Sequence, residues 1–186
     1  MLVSFNVIYN NKHKTIYIII YRLLSMGAGI LPVSLYKNKL YFLFGQEEQE
    51  HKWSDFGGGC NTDETPLQTA LREGYEELNG YYGTMNEFKQ LVKNNTLLRV
   101  SVNGYTTIIV KVPYDDNFPS YFNNQHKFMK THFPHLIDKN GFFEKRQIKW
   151  MTIAEMKESK NQFRSHYKAI VENTISNESF ILKNIR

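Results

Sequence analysis

A single cysteine, Cys60, rules out an internal disulfide and makes a reducing compartment, the cytoplasm, the default expectation. Only five prolines occur in 186 residues, and no repeat, low-complexity tract or Gly/Ser/Pro-rich linker divides the chain. A multi-module design is therefore not expected, and the length suits one domain with a core of its own. Long hydrophobic runs are also lacking. The most apolar stretch, Thr15 to Leu24, is too short to span a bilayer, and Arg22 interrupts its extension. Ser25-Met26-Gly27-Ala28 offers no convincing signal-cleavage site, so no membrane partner is expected. His126, His132 and His135 follow no standard zinc spacing, and Cys60 reads as a bystander thiol because no activating base lies near it in sequence.

Charge is present in excess of one sign. The net charge is +5, divided into +6 from Ser120 to Arg186 and −1 over the rest. A basic third of this kind can attract a polyanion, although a solvated basic surface is its commoner meaning. Aromatic residues reach 15%, and Tyr81, Tyr82, Tyr121 and Phe122 are candidates for stacking on a base.

The order of local signals predicts an α+β domain. Ile16–Tyr21 is β-branched and aromatic and reads as a strand, within an N-terminal extension over residues 1–25. Ala28–Ser34 and Leu40–Gly45 flank the polar turn Lys37-Asn38-Lys39 and predict a hairpin. Trp53–Phe56 predicts a short strand broken by Gly57-Gly58-Gly59. Thr65–Leu78 predicts a helix, with Thr65 as cap and Pro66 at its first position. Met85–Lys93 predicts a second helix, and Asn103-Gly104 a tight turn between strands at Thr96–Val102 and Thr106–Val112. Ser120–Phe133 reads as a helix, Phe142–Met151 as a strand, Ile153–Glu158 as a short helix and Phe163–Ile175 as a last one. The main domain is thus expected over residues 26–176, and the tail over 177–186 is expected to fray.

The helix around Glu73 carries the chemistry. At roughly 100° per residue, Glu76 falls roughly 60° to one side of Glu73 and Glu77 roughly 40° to the other, so three carboxylates share a stripe. Leu67, Ala70, Leu71, Gly74 and Leu78 cover the adjacent arc, from roughly 60° to 160°, and predict a buried face. Gly74 costs helix propensity, so close approach to a sheet is its expected compensation. Carboxylates crowded in this way repel unless a cation lies between them. Hard oxygen donors suit Mg²⁺ or Mn²⁺, and the segment has too little His or Cys to favour zinc. The preceding glycines add free carbonyls and let a phosphate approach the main chain.

These residues have a specific spacing, Gly58-x5-Glu64-x7-Arg72-Glu73-x2-Glu76-Glu77, with Phe56-Gly57 ahead of it. The pattern resembles the Nudix box. The resemblance implies a Nudix-like α/β/α sandwich with a mixed central β-sheet, running from Ala28 to about Glu158. It also implies Mg²⁺- or Mn²⁺-dependent attack of water on the diphosphate linkage of a nucleoside diphosphate derivative. Glu73, Glu76 and Glu77 match the family's metal ligands, helped by the Gly57 carbonyl, whereas Gly58, Glu64 and Arg72 match its structural positions. Glu76 and Glu144 are both candidates for the base. Free nucleotides, dinucleoside polyphosphates, nucleotide sugars and a capped RNA 5′ end all stay open as substrates, as does a catalytically silent nucleotide-binding module. A homodimer is open too. The sequence departs from the pattern where the box normally closes with glycine: Asn79 either replaces that residue or is followed by a displaced Gly80, and both tolerate a left-handed cap.

Overall fold

A computed structural model describes residues 27–137 and 141–186. The strand expected at Ile16–Tyr21 lies outside them. The chain forms β1 (Gly27–Tyr36), β2 (Lys39–Glu47), β3 (Trp53–Ser54), β4 (Phe56–Gly59), α1 (Pro66–Glu77) and α2 (Met85–Asn95). These are followed by β5 (Thr96–Val102), β6 (Tyr105–Lys111), α3 (Phe118–His132), β7 (Lys145–Thr152), α4 (Ile153–Glu158), α5 (Lys168–Ser176) and α6 (Glu178–Ile185).

The strands make one mixed sheet in the order β3-β2-β1-β6-β5. β1 runs parallel to β6 and antiparallel to β2, while β7 pairs with the other edge of β2. Strand β1 is shared along its length. Gly27–Ile30 pairs with β4, and Val33–Tyr36 pairs with β2. The glycine segment is thereby held as a strand against the middle of the sheet, and the chain leaves it directly toward α1.

Both faces of the sheet are covered, as alternation along β1 requires. Ile30, Phe56, Ala70, Phe88, Val92 and Phe122 pack on one face, and Leu31, Val33, Phe44, Tyr167, Ile170 and Ile181 on the other. The architecture is the mixed-sheet α/β/α sandwich expected from the sequence. Three expectations need correction. Gly57-Gly58-Gly59 does not break regular structure but forms β4 with Phe56, because pairing with Gly27–Ile30 of β1 satisfies its backbone. The tail does not fray: α6 places Ile181 and Ile185, one helical turn apart, in the second core. The last predicted helix begins later than Phe163, because Phe163 bridges to Trp53 and packs on Phe44, and regular α-helix starts only at Lys168.

Asp55, between β3 and β4, is fully buried beneath the site. It accepts hydrogen bonds from the Tyr105 hydroxyl at 2.8 Å and the Thr107 hydroxyl at 2.7 Å. Gly29 makes room for it, since a Cβ there would lie 2.6 Å from Oδ2. Burial outweighs the two donors and pushes the Asp55 carboxyl from an ordinary 3.8 up to about 6. The folded state therefore binds more protons than the unfolded chain between those values, and this contribution to stability is lost as pH rises through about 6. Asp55→Asn should gain on the wild type between pH 4 and pH 7, by up to about 3 kcal/mol. Urea unfolding at several pH values checks it, and a difference that does not change with pH would refute it.

Candidate active site

The site is built on α1 and the strand before it. Thr65 caps the helix in a capping box: its hydroxyl accepts from Gln68 N at 3.3 Å, and the Gln68 side chain accepts from Thr65 N at 2.9 Å. Gly74 faces Ile30 and Phe88, and a Cβ there would lie 2.7 Å from Ile30 Cγ1. The missing side chain thus brings the helix close to β1. Ala70 and Leu78 are buried as the wheel predicts, but Leu67 is 36% exposed.

Arg72 ties the loop to the helix. Its Nε donates to Glu64 Oε1 at 2.7 Å and its Nη2 to Glu64 Oε2 at 2.8 Å, a two-pronged pair. Nη2 also reaches the Gly59 carbonyl at 3.2 Å. Hydrogen bonds from Arg72, with help from Asn61 N and Thr69, pull the Glu64 carboxyl down to about 2. Arg72 Nη1 meets Glu73 Oε1 at 2.6 Å and stands 3.5 Å from Glu76 Oε2. Glu73 and Glu76 therefore lie side by side next to the glycine strand, both half-buried. Burial pushes the Glu76 carboxyl up; Arg72 opposes this and the charge of Glu73 adds to it.

Glu77 does not join them. It is 3% exposed, its Oε2 accepts from Gly57 N at 2.6 Å, and its Oε1 lies 3.1 Å from Lys145 Nζ. The expected stripe of three carboxylates is therefore a pair, Glu73 and Glu76, with Glu77 turned inward. The wheel contains the reason: Glu77 sits at the edge of the apolar arc, and a buried cation meets it there. Among the described residues, no three His, Cys, Asp or Glu side chains are gathered closely enough to hold a metal. The donors at hand are nonetheless hard oxygens, of the kind Mg²⁺ or Mn²⁺ takes. Gly58 and Gly141 leave space against them: a Cβ at Gly58 would meet Glu73 Oε1 at 2.5 Å, and one at Gly141 would meet Glu76 Oε2 at 2.6 Å.

Glu144 enters from the segment before β7. It lines a cavity of ≈240 Å³ with Glu47, Glu48, Glu50 and Phe143, and its charge helps raise the Glu77 carboxyl, whose main upward push is burial. Asn79 positions this segment. It takes the left-handed conformation at φ 52, and Gly80 follows at φ 66. Its Oδ1 accepts from Phe143 N at 2.8 Å. Asn79→Ala should cost about 2 kcal/mol, roughly half for forcing alanine into positive φ and half for the lost bond. Asn79→Gly should lose only the bond. Thermal unfolding of both variants checks the ranking, and equal losses would contradict it.

A second cavity, of ≈340 Å³, lies along the glycine strand, between Gly57–Gly59, Tyr105, Arg164 and His166. Arg164 lines both cavities and pairs with Glu50 at 2.8 Å and Glu47 at 3.3 Å. Of the aromatic candidates, Phe122 is buried, Tyr81 packs on it and on Phe118, and Tyr82 packs on Phe88 and Phe118, so these three serve packing. Tyr121 is exposed on α3. His126 is buried beside Glu48, whereas His132 and His135 lie at the surface, so the three form no common site. Sequence reasoning missed Lys145, Glu47, Asp55 and Arg164.

The chain resembles solved structures in fold. It matches a bifunctional NMN adenylyltransferase/ADP ribose pyrophosphatase from Francisella tularensis with a TM-score of 0.52 at 18% identity, over 83% of this chain and 41% of that one. An Ap4A hydrolase from C. elegans matches with a TM-score of 0.47 at 17% identity, over 81% and 94%. A NUDIX hydrolase from Nitrosomonas europaea matches at 0.45 and 14%, over 88% and 76%. The first of these shows a shared fold, and at such identities the likeness is one of fold. No family model matches the sequence, and no curated protein matches it. Among the described residues, no helix is long and apolar enough to cross a membrane.

Proposed function

We propose that this protein is a Nudix-type hydrolase that uses Mg²⁺ or Mn²⁺ to cleave the diphosphate linkage of a nucleoside diphosphate derivative. The observation that carries the reading is the pair Glu73 and Glu76, presented beside a glycine strand on a helix locked by the Glu64–Arg72 fork. Glu73 and Glu76 would hold the ion, with the Gly57 carbonyl as a further donor. When bound, the ion supplies positive charge against the phosphates and lowers the pKa of water.

The chain's own residues do the rest. Gly57, Gly58 and Gly59 let the diphosphate lie against the main chain without side-chain obstruction. Arg164 and His166, across the cavity, face the same space and suit an anionic substrate. Glu76 takes the proton from water, because burial and the charge of Glu73 raise its basicity. Glu144 is the alternative acceptor, delivered by the segment that Asn79 holds.

The test is a panel of ADP-ribose, dinucleoside polyphosphates, nucleotide sugars, free nucleotides and capped RNA, each with Mg²⁺, Mn²⁺ or chelator. Turnover of at least one compound is expected, lost on chelation, and product mass identifies the phosphorus attacked. A protein inert toward the whole panel would point to a binding module instead. Cleavage of capped RNA that weakens steeply with salt would assign the basic C-terminal third to a polyanion.

A further inference from the structure

Lys145 is fully buried, and its surroundings are shaped to receive it. Its Nζ contacts Glu47 Oε1 and lies 3.1 Å from both Glu77 Oε1 and Ser54 Oγ. An irregularity in the β2–β7 pairing, between Gln46 and Glu47, sets Glu47 opposite Lys145. Two positions back on β2, Gly45 clears the path of the side chain: a Cβ there would sit 2.8 Å from Lys145 Cγ and 2.9 Å from Cδ. Burial alone would pull the ammonium down, but Glu77 and Glu47 outweigh it and keep the charge on Lys145. Both Glu77 oxygens are thereby occupied, one by this ammonium and one by Gly57 N–H.

We propose that Lys145 is a built-in cation that stands where Glu77 would otherwise take a divalent ion. The metal site is thereby confined to Glu73 and Glu76, and Glu77 becomes a positioning residue. Its work is to anchor the Gly57 peptide, and with it the glycine strand, to the end of α1. The charges of Glu47 and Glu77 are already balanced by Lys145 and Arg164, so a further cation at Glu77 would meet like charge at contact distance. The confinement to Glu73 and Glu76 rests on the function proposed above, whereas the role of Lys145 rests on its own contacts.

Mn²⁺ binding to the full chain, followed by the electron paramagnetic resonance of the free ion, tests this without turnover. Glu77→Gln should leave Mn²⁺ affinity within about threefold of wild type, whereas Glu76→Gln should weaken it by about 10–100-fold. Lys145→Met should bind one more Mn²⁺ per chain than wild type, at the vacated Glu47–Glu77 pair. An equal loss in Glu77→Gln and Glu76→Gln would overturn the proposal, as would unchanged stoichiometry in a folded Lys145→Met. If Lys145→Met does not fold, the Glu77→Gln comparison decides. Wild type that binds no Mn²⁺, with Lys145→Met gaining one, would sink the proposed hydrolase and leave the role of Lys145 standing.

Discussion

Glu76→Gln is expected to lower turnover by about 10²–10⁴ at saturating metal, with the fold intact. The substitution is nearly isosteric, and the Glu76 side chain is 24% exposed, so no packing is lost and no buried charge is stranded. Two effects combine in the loss. Gln is a poor ligand for a hard cation, and it cannot take a proton from water. Arg72 lies 2.6 Å from Glu73 and 3.5 Å from Glu76, so Glu73 should keep its pairing with Arg72 when Glu76 is neutral. Circular dichroism and thermal unfolding should therefore match wild type while kcat collapses. Glu144→Gln is the control. A larger loss there than in Glu76→Gln moves the base to the segment before β7, and a loss below about tenfold in both variants would reject the site.

The reach of the sequence differs between local and long-range features. The tight turn at Asn103 and Gly104, at φ 51 and 80, was legible because Asn and Gly accept positive φ; at the first turn only Asn38, at 59, follows that rule, and Lys37, at 47, was legible as part of a polar break between two apolar runs. The capped helix α1 was legible in Thr65-Pro66 for a comparable local reason. The Glu64–Arg72 fork could be placed through the family pattern, since both ends sit within one motif. The ion cluster behind the site could not. Lys145 meets Glu47 across β2 and β7 and Glu77 across the sheet-to-helix layer, so its partners are 98 and 68 positions away in sequence. Its neighbours Glu144 and Arg146 suggest an ordinary exposed strand end, and an irregular register defeats the period-2 reading. Asp55 was hidden in the same way, because its hydroxyl donors Tyr105 and Thr107 come from β6. The tail was different in kind. Ile181 and Ile185 carry the i, i+4 signal, and only position near the end of the chain argued for fraying.

Lys145→Met should destabilise the fold by about 3–5 kcal/mol at neutral pH, the largest stability loss expected of any single change at this site. Methionine fills much of the volume, so the loss is electrostatic rather than a cavity. Glu47 keeps Arg164 as a partner at 3.3 Å and is partly open to water, but Glu77 is 3% exposed and keeps only Gly57 N–H. Burial already raises the Glu77 carboxyl, Lys145 opposes that rise, and its loss lets the folded pKa climb further above the unfolded one. The sign of the pH dependence follows. Folded Lys145→Met binds more protons than its unfolded chain above the ordinary glutamate range, so its stability falls as pH rises, and its deficit against wild type should be larger at pH 8 than at pH 5. Glu77→Gln combined with Lys145→Met should recover part of the loss, since both ends of the broken pair are then neutral and the two changes are not additive. Urea unfolding of the two single variants and the double variant at both pH values measures each term. A Lys145→Met deficit under about 1 kcal/mol would mean that Lys145 and Glu77 are not paired in the folded protein, because a buried carboxylate cannot lose the cation it contacts at so small a cost, even with Arg164 acting on it from farther away.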